Sequence, residues 1–332
     1  MGKALSFEYS EEMLNSHQLK HNATDCEAST IWRLVTKNVK NIVALNKYGY
    51  DPPIYLLHPI SGDVTVYSNL VRLLGSGQKI YGVQLNKKEM NAAFANSITD
   101  IAQHHVELLI SFQPEGPLVL GGWSAGAIIA LEMTQQLRTL GRDVPLLIAL
   151  DGAPCNTGAG LSVWNPAYSW KLILNLPGWF KCERRQVHSL RQLMMNLGTA
   201  VAFRAQRALP FRNVQTLHGE AIRSLLGKVG WPSEQMPFVR ALHSSLRAYV
   251  PARYNGRVLV YEARTQPLTH LLQIGATWKT LARRSEIVVL EAHHSSIFQE
   301  PSLSTLANHL LMRLAELRQP EKACEPFYGV PS

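Results

Sequence analysis

The pentapeptide Gly122-Trp123-Ser124-Ala125-Gly126 restricts the folds open to this chain more than any other stretch, because of what flanks it. Before it, Pro117-Leu118-Val119-Leu120 reads as a short buried strand. After it, Ala127-Ile128-Ile129-Ala130-Leu131-Glu132-Met133 opens a helix with almost no polar face, closed at Gly141. A strand, G-x-S-x-G and a helix in that order make a sharp elbow with a serine at its apex. The glycines leave room for a central residue in strained backbone angles. Such a turn lifts the hydroxyl above the sheet and aims the helix N-terminus at any oxyanion that develops there. The overlapping Gly121-Gly122-Trp123-Ser124 superficially matches a phosphopantetheine attachment site. A serine of that kind precedes a surface helix, and this one precedes a buried helix.

The rest of the chain supplies a sheet for the elbow to stand on. Strand-like runs occur at Asn41–Leu45, Ile54–Leu57, Ile80–Val83, Leu118–Leu120 and Leu146–Leu150, with Tyr48–Pro53 as a turn. Helical patterns separate them at roughly 64–74, at 97–112, opened by Ser97 with Asp100 in the capping-box position, and at 125–140. Apolar strands alternating with helices predict a mostly parallel sheet covered on both faces, an α/β fold. From about 153 the alternation stops for about a hundred residues of helix-like sequence containing Trp164, Trp170, Trp179 and Trp231. It resumes with a strand at Val258–Tyr261, a helix at 276–284, a strand at Ile287–Leu290 and a closing helix near 303–317. A crossover needs only about a dozen residues, so the segment 153–256 is surplus to the sheet. Its place after a strand's C-terminal end, where α/β proteins bind ligands, predicts a helical lid. The organisation predicted is a polar N-terminal tail over 1–35, one domain over 36–318 carrying that lid insertion, and a flexible C-terminal tail over 319–332.

Composition excludes several classes. With 46% hydrophobic and 17% charged residues, the 332-residue chain reads as an ordinary globular protein. No apolar run approaches the roughly 20 residues of a membrane span, and the start of the chain, with Glu8, Glu11 and Glu12, has no signal-peptide character. Met1-Gly2-Lys3-Ala4-Leu5-Ser6 fits the loose myristoylation pattern only by chance. Cys26, Cys155, Cys182 and Cys324 lack metal-ligand spacing and suit reduced thiols in the cytoplasm. The net charge of +9 belongs to the insertion, where thirteen Lys or Arg face three Glu. No nucleic-acid-binding motif accompanies it.

A serine nucleophile needs a base, and the base an orienting acid. With the serine on an elbow of this kind, the chain order is nucleophile, acid, histidine. His293-His294 is the one histidine pair that directly follows a late apolar strand. Two acids compete: Asp151, in the tight turn Asp151-Gly152-Ala153-Pro154 after Leu146–Leu150, and Glu262 after Val258–Tyr261. The turn favours Asp151. For the oxyanion, one donor is the N–H of Ala125; the other falls to Ile60 in His58-Pro59-Ile60-Ser61-Gly62, since Pro59 has no N–H. His58 reads as a packing or local hydrogen-bonding residue, and His104 and His105 as packed or solvated.

On LLHPISGDV (56–64), residues 97–137, LLIALDGAP (146–154), YVPARYNGRVLVYEA (249–263), Trp278 and EAHHSSIFQEP (291–301), the chain resembles the thioesterase domains of nonribosomal peptide and polyketide synthases and their free-standing relatives. These are α/β-hydrolases. The resemblance selects His294 over His293, because the family's histidine stands seven residues before a proline, here Pro301. It also supports Asp151. His293, where the family has Gly or Asp, and Ala127, where it often has Gly, depart from the pattern. A start at Met1 and the lack of a second carrier-like domain predict a free-standing enzyme. The resemblance implies an enzyme of secondary metabolism, including antibiotic biosynthesis, that releases an acyl or peptidyl chain from a carrier protein's phosphopantetheine thioester through an acyl-Ser124 intermediate. It implies no metal and no cofactor of the enzyme's own, and a basic lid that faces an acidic carrier. A generic serine carboxylesterase and a non-catalytic carrier-binding relative are the alternatives.

Overall fold

Strands that must be buried on both faces are apolar at every position, and the centre of this chain follows that rule. In the computed structural model, residues 41–318 are described except 92, 156, 158–165, 187–193, 195–197, 199–232 and 268–272. Seven strands form one sheet: β1 (Ile42–Asn46), β2 (Tyr50–Leu57), β3 (Gln78–Val83), β4 (Val119–Trp123), β5 (Leu146–Leu150), β6 (Tyr254–Thr265) and β7 (Ala282–His293). Their order is β1-β3-β2-β4-β5-β6-β7, with β1 antiparallel to β3 and every other pair parallel. The chain leaves β2 toward β3 on one side and returns to β4 on the other. The reversal of strand order therefore falls between β2 and β4, where doubly wound sheets open a crevice at their carboxyl ends.

Alternate residues feed two cores, as a period of two requires. Tyr55, Leu57, Leu120, Leu147, Ala149, Val258 and Val260 pack on one face, under α2 (Ile98–Phe112), α3 (Ala125–Thr139), α5 (Met236–Ala248) and α6 (Ile274–Leu281). Ile54, Leu56, Val119, Ile148, Leu150, Leu259 and Tyr261 pack on the other, under α1 (Ser68–Leu74) and α7 (Ser302–Leu317). In α7 the buried stripe Leu303, Leu306, Ala307, Leu310 and Leu314 has helical spacing, and each leucine so buried contributes about 1.5–3 kcal/mol. The N-terminus of α2 is capped by Ser97, whose side chain accepts the Asp100 N–H. In α3 the first seven residues are all buried, which fixes its N-terminus against the middle of the sheet.

Several expected boundaries move. Strand β2 begins at Tyr50, inside the stretch expected to turn, because the Gln78 side chain donates to the carbonyls of Tyr50 and Pro52. Prolines are tolerated at a strand's start, where no ladder N–H is required. At the other edge, α6 ends at Leu281 and β7 already begins at Ala282. Its first residues, Arg283, Arg284, Ser285 and Glu286, look unlike a strand because an edge strand has one partner and one free side, so charge is tolerated there. From the insertion, the structure describes chiefly α4 (Pro166–Gln186) and α5. Trp164, Trp231, six of the insertion's thirteen basic residues and both tails lie outside the described residues. Among the described residues no helix is long and apolar enough to cross a membrane.

Candidate active site

The strand register brings the expected residues to one edge. Leu57 pairs with Gly122, Trp123 with Leu150, Leu150 with Tyr261 and Thr265 with His293. The loop after β2, Ser124 after β4, Asp151 after β5 and His294 after β7 therefore all emerge at the carboxyl end of the sheet.

Ser124 sits between β4 and α3 with φ 56° and ψ −116°, a conformation rarely adopted by a side-chain-bearing residue. Its N–H donates to Leu150 O at 2.9 Å. The elbow needs Gly126 for close approach: a Cβ there would stand 2.4 Å from Leu57 O. Tyr67, fully buried, ties the same corner together. Its hydroxyl donates to Leu57 O at 2.6 Å and accepts the Trp123 N–H at 2.7 Å. This places the β2 loop, with Ile60, beside the N-terminal turn of α3 that begins with Ala125.

Asp151 is fully buried and also has a positive φ, 47°. One carboxylate oxygen accepts from His294 Nδ1 at 2.6 Å. The other accepts the Ala263 N–H at 2.7 Å and Gln266 Nε2 at 2.9 Å. Three donors answer one buried carboxylate, which offsets the large cost of burying its charge. With Nδ1–H held by Asp151, the His294 lone pair is left on Nε2. The imidazole stacks on Trp123, centroids 4.9 Å apart and planes at 26°, and so lies beside the residue preceding Ser124. The turn after Asp151 is equally tight: a Cβ on Gly152 would be 2.2 Å from Ser124 O. Trp278 Nε1 donates to Gly152 O at 2.9 Å, which anchors that turn to α6.

The competing residues go elsewhere. Glu262 lies inside β6, with three strand residues still to come, the last of them Thr265. Its carboxylate accepts the Gly275 N–H at 3.0 Å near the start of α6, and Lys171 of α4 is 3.8 Å away. Burial pushes the Glu262 carboxyl up, against the opposing pull of Lys171 and the Gly275 N–H. His293 Nδ1 contacts the Ser295 hydroxyl at 2.9 Å and N–H at 3.2 Å, closing the turn that contains His294. His58 is fully buried; its Nδ1–H donates to Pro59 O at 2.8 Å and its Nε2 meets His105 Nε2 at 3.2 Å. Burial holds His58 down at about 4. The groups not singled out from sequence are Tyr67, Ala263 and Gln266. Of these only Gln266, polar and next to Pro267 past the end of an apolar strand, carried any local signal.

A mostly parallel sheet with this elbow, acid and histidine order defines an α/β-hydrolase fold. Within that class, residues 52–161 match the family model described as "Thioesterase domain". A dimodular nonribosomal peptide synthase of Bacillus subtilis (strain 168) is 31% identical over 113 residues, 34% of this chain and 5% of that protein. Polyketide synthase PksR of the same organism is 31% identical over 110 residues, 33% of this chain and 4% of that protein. The chain thus corresponds to a small part of each relative's length. Among solved structures, the NocB thioesterase domain from the nocardicin cluster matches with TM-score 0.54 and 19% identity, over 83% of this chain and 99% of that domain. A covalent complex of the same domain with a fluorophosphonate nocardicin G analogue matches at 0.54 and 20%, over 82% and 99%.

Proposed function

We propose that the chain is a serine thioesterase that removes an acyl or peptidyl group from a carrier protein's phosphopantetheine arm. The observation that carries this reading is the 2.6 Å contact between His294 Nδ1 and Asp151 at the sheet edge where strained Ser124 opens α3. Asp151 holds the imidazole so that Nε2 takes the Ser124 Oγ proton as Oγ attacks the thioester carbonyl. The N–H groups of Ala125 and Ile60 receive the oxyanion. The tetrahedral centre collapses, the C–S bond breaks, and the thiolate leaves with the proton from His294. Water, or a nucleophile on the acyl chain, then attacks acyl-Ser124 with His294 again as base. The chemistry asks for no metal and no cofactor bound to this chain. The match of residues 52–161 to the thioesterase domain, and relatives that are nonribosomal peptide and polyketide synthases, support a thioester over a simple ester. The sequence character supports a cytoplasmic enzyme.

A serine-directed fluorophosphonate should label wild-type protein on Ser124, and Ser124→Ala should not be labelled. With a small thioester, Ser124→Ala and His294→Ala should lose about 10³-fold or more in kcat, and His293→Ala far less. A carrier-bound thioester should be turned over faster than the small thioester, and the advantage should shrink as salt screens the basic insertion. Activity surviving in Ser124→Ala, or equal rates for an ester and a carrier-bound thioester, would refute the reading.

A further inference from the structure

We infer that Gln266 is a positioning residue for Asp151 and that Asn175, on the first described helix of the insertion, holds Gln266 in place. Docking of α4 on the sheet edge and the setting of the carboxylate against His294 are then one event. The inference rests on the reading of Asp151 and His294 given above.

Gln266 follows the last residue of β6, where the sheet has no further strand to pair with its backbone. Asn175 takes the place of a strand. Its Oδ1 accepts the Gln266 N–H at 2.7 Å and its Nδ2 donates to Gln266 O at 2.8 Å. The two-point clamp fixes the backbone of a residue 91 positions away, and both residues are buried, Asn175 at 5% and Gln266 at 2% exposure. From that fixed backbone the Gln266 side chain turns inward. Its Nε2 donates to Asp151 Oδ1 at 2.9 Å and to Ala263 O at 3.0 Å. Both hydrogens of the amide are used, so the group cannot rotate without losing a bond, and its nitrogen end is assigned by its two acceptors. Ala263 N–H supplies the second bond to the same Oδ1. Oδ1 is therefore held from both sides, which points Oδ2 at His294 Nδ1.

The path from helix to base runs Asn175, Gln266, Asp151, His294, each link a hydrogen bond of 2.6–2.9 Å, with the first three residues buried and His294 partly so. Lys171, one turn before Asn175 on α4, lies 3.8 Å from Glu262 and adds an ion pair at the same junction. Asn175 itself contacts the Gln266 backbone and reaches Asp151 only through the Gln266 side chain. A loosened clamp leaves the carboxylate with one donor fewer. The carboxylate then binds the imidazolium more strongly and with less directional constraint.

The test uses the full chain with Gln266→Met, which keeps the volume and removes the donors, with Asn175→Ala, and with the double variant. Acylation is followed with a small thioester from pH 5 to 9, and the low-field proton resonance of the His294–Asp151 hydrogen bond is followed by NMR. Gln266→Met should slow acylation about tenfold or more and raise the midpoint of the acid limb by several tenths of a pH unit. Asn175→Ala should move rate, acid limb and resonance in the same direction by less, and the double variant should match Gln266→Met alone. Asn175→Ser serves where Asn175→Ala does not fold. An unchanged acid limb and resonance in folded Asn175 variants, even with a lowered melting temperature, would leave Asn175 a helix-docking residue and overturn the coupling. The resonance reports the Asp151–His294 bond in the absence of turnover. Failure of the triad reading shows instead as activity retained by Ser124→Ala and His294→Ala.

Discussion

Acidification should destabilise this protein through its buried histidines, and for His58 by an amount the structure lets us work out. His58 has no contact with water, and both its ring nitrogens are committed. Its Nδ1–H donates to Pro59 O, so Nε2 is the acceptor for His105 Nε2–H across 3.2 Å. A proton on Nε2 would set two N–H groups against each other in a dry site. Burial is the main reason that His58 is held near 4 rather than the ordinary 6.5; the Pro59 carbonyl and the charges of Asp63 and Glu89 offset part of it. His105, buried beside His58 and His104, is also driven well below the ordinary value, by burial first and then by those two charges. The unfolded chain binds a proton at His58 near pH 6.5, and the native chain only near pH 4. Between those values the unfolded state holds more protons, so the stability is fully present above about 6.5 and is lost as pH falls toward 4. A depression from 6.5 to about 4 corresponds to a loss of about 3 kcal/mol over that window. His58→Asn cannot titrate and keeps an amide donor for the Pro59 carbonyl. Urea unfolding followed by tryptophan fluorescence from pH 8 to 4.5 should show wild type losing stability more steeply than His58→Asn by up to about 1.4 kcal/mol per pH unit. Parallel curves for the two proteins would refute the argument, as would an NMR titration placing His58 near 6.5.

Two further outcomes follow from the site. Asp151→Asn should lower kcat by about 10³- to 10⁴-fold by favouring the wrong tautomer of His294, whereas Glu262→Gln, which keeps an acceptor for the Gly275 N–H, should cost about threefold or less; steady-state kinetics with a small thioester giving the reverse ranking would move the acid to β6. Gly152→Ala should lower kcat by about 10²-fold, since its Cβ would fall 2.2 Å from Ser124 O and displace the elbow or the acid turn. Unchanged kcat in that variant would mean that the turn yields without disturbing Ser124.

What could be read from sequence was what is local. The elbow at Ser124 is written in nine or ten consecutive residues, and the resemblance to the thioesterase domains, through the seven-residue spacing from His294 to Pro301, favours one of two adjacent histidines without tertiary information. The acid was separated less sharply. Asp151 and Glu262 each follow an apolar run of four or five residues; the turn Asp151-Gly152-Ala153-Pro154 favours Asp151, but nothing local shows that β6 continues to Thr265. That continuation keeps Glu262 within the ladder, opposite Val289, with its carboxylate on the Gly275 N–H, whereas Asp151 is released into a turn with positive φ. The start of β7 was hidden for a related reason: edge position removes the apolar requirement that makes a central strand visible.

The clamp at Asn175 was beyond reach because it pairs a side chain with a backbone across 91 residues, and such pairing imposes no periodicity on either segment. It also changes how the insertion is understood. From sequence the segment 153–256 reads as a lid whose work lies in its surface and charge. In the structure its first described helix places one buried amide against the strand end that carries Gln266, and so touches the chemistry from behind. An insertion attached in this way can vary along its outward face, where Trp170, Ile173 and Leu174 are 55–64% exposed, while the Asn175 contact keeps the acid in register. The exposed apolar residues and the buried Asn175 then lie on different faces of one helix. A change in acyl preference that tilts α4 is expected to appear in the pH profile as well as in KM.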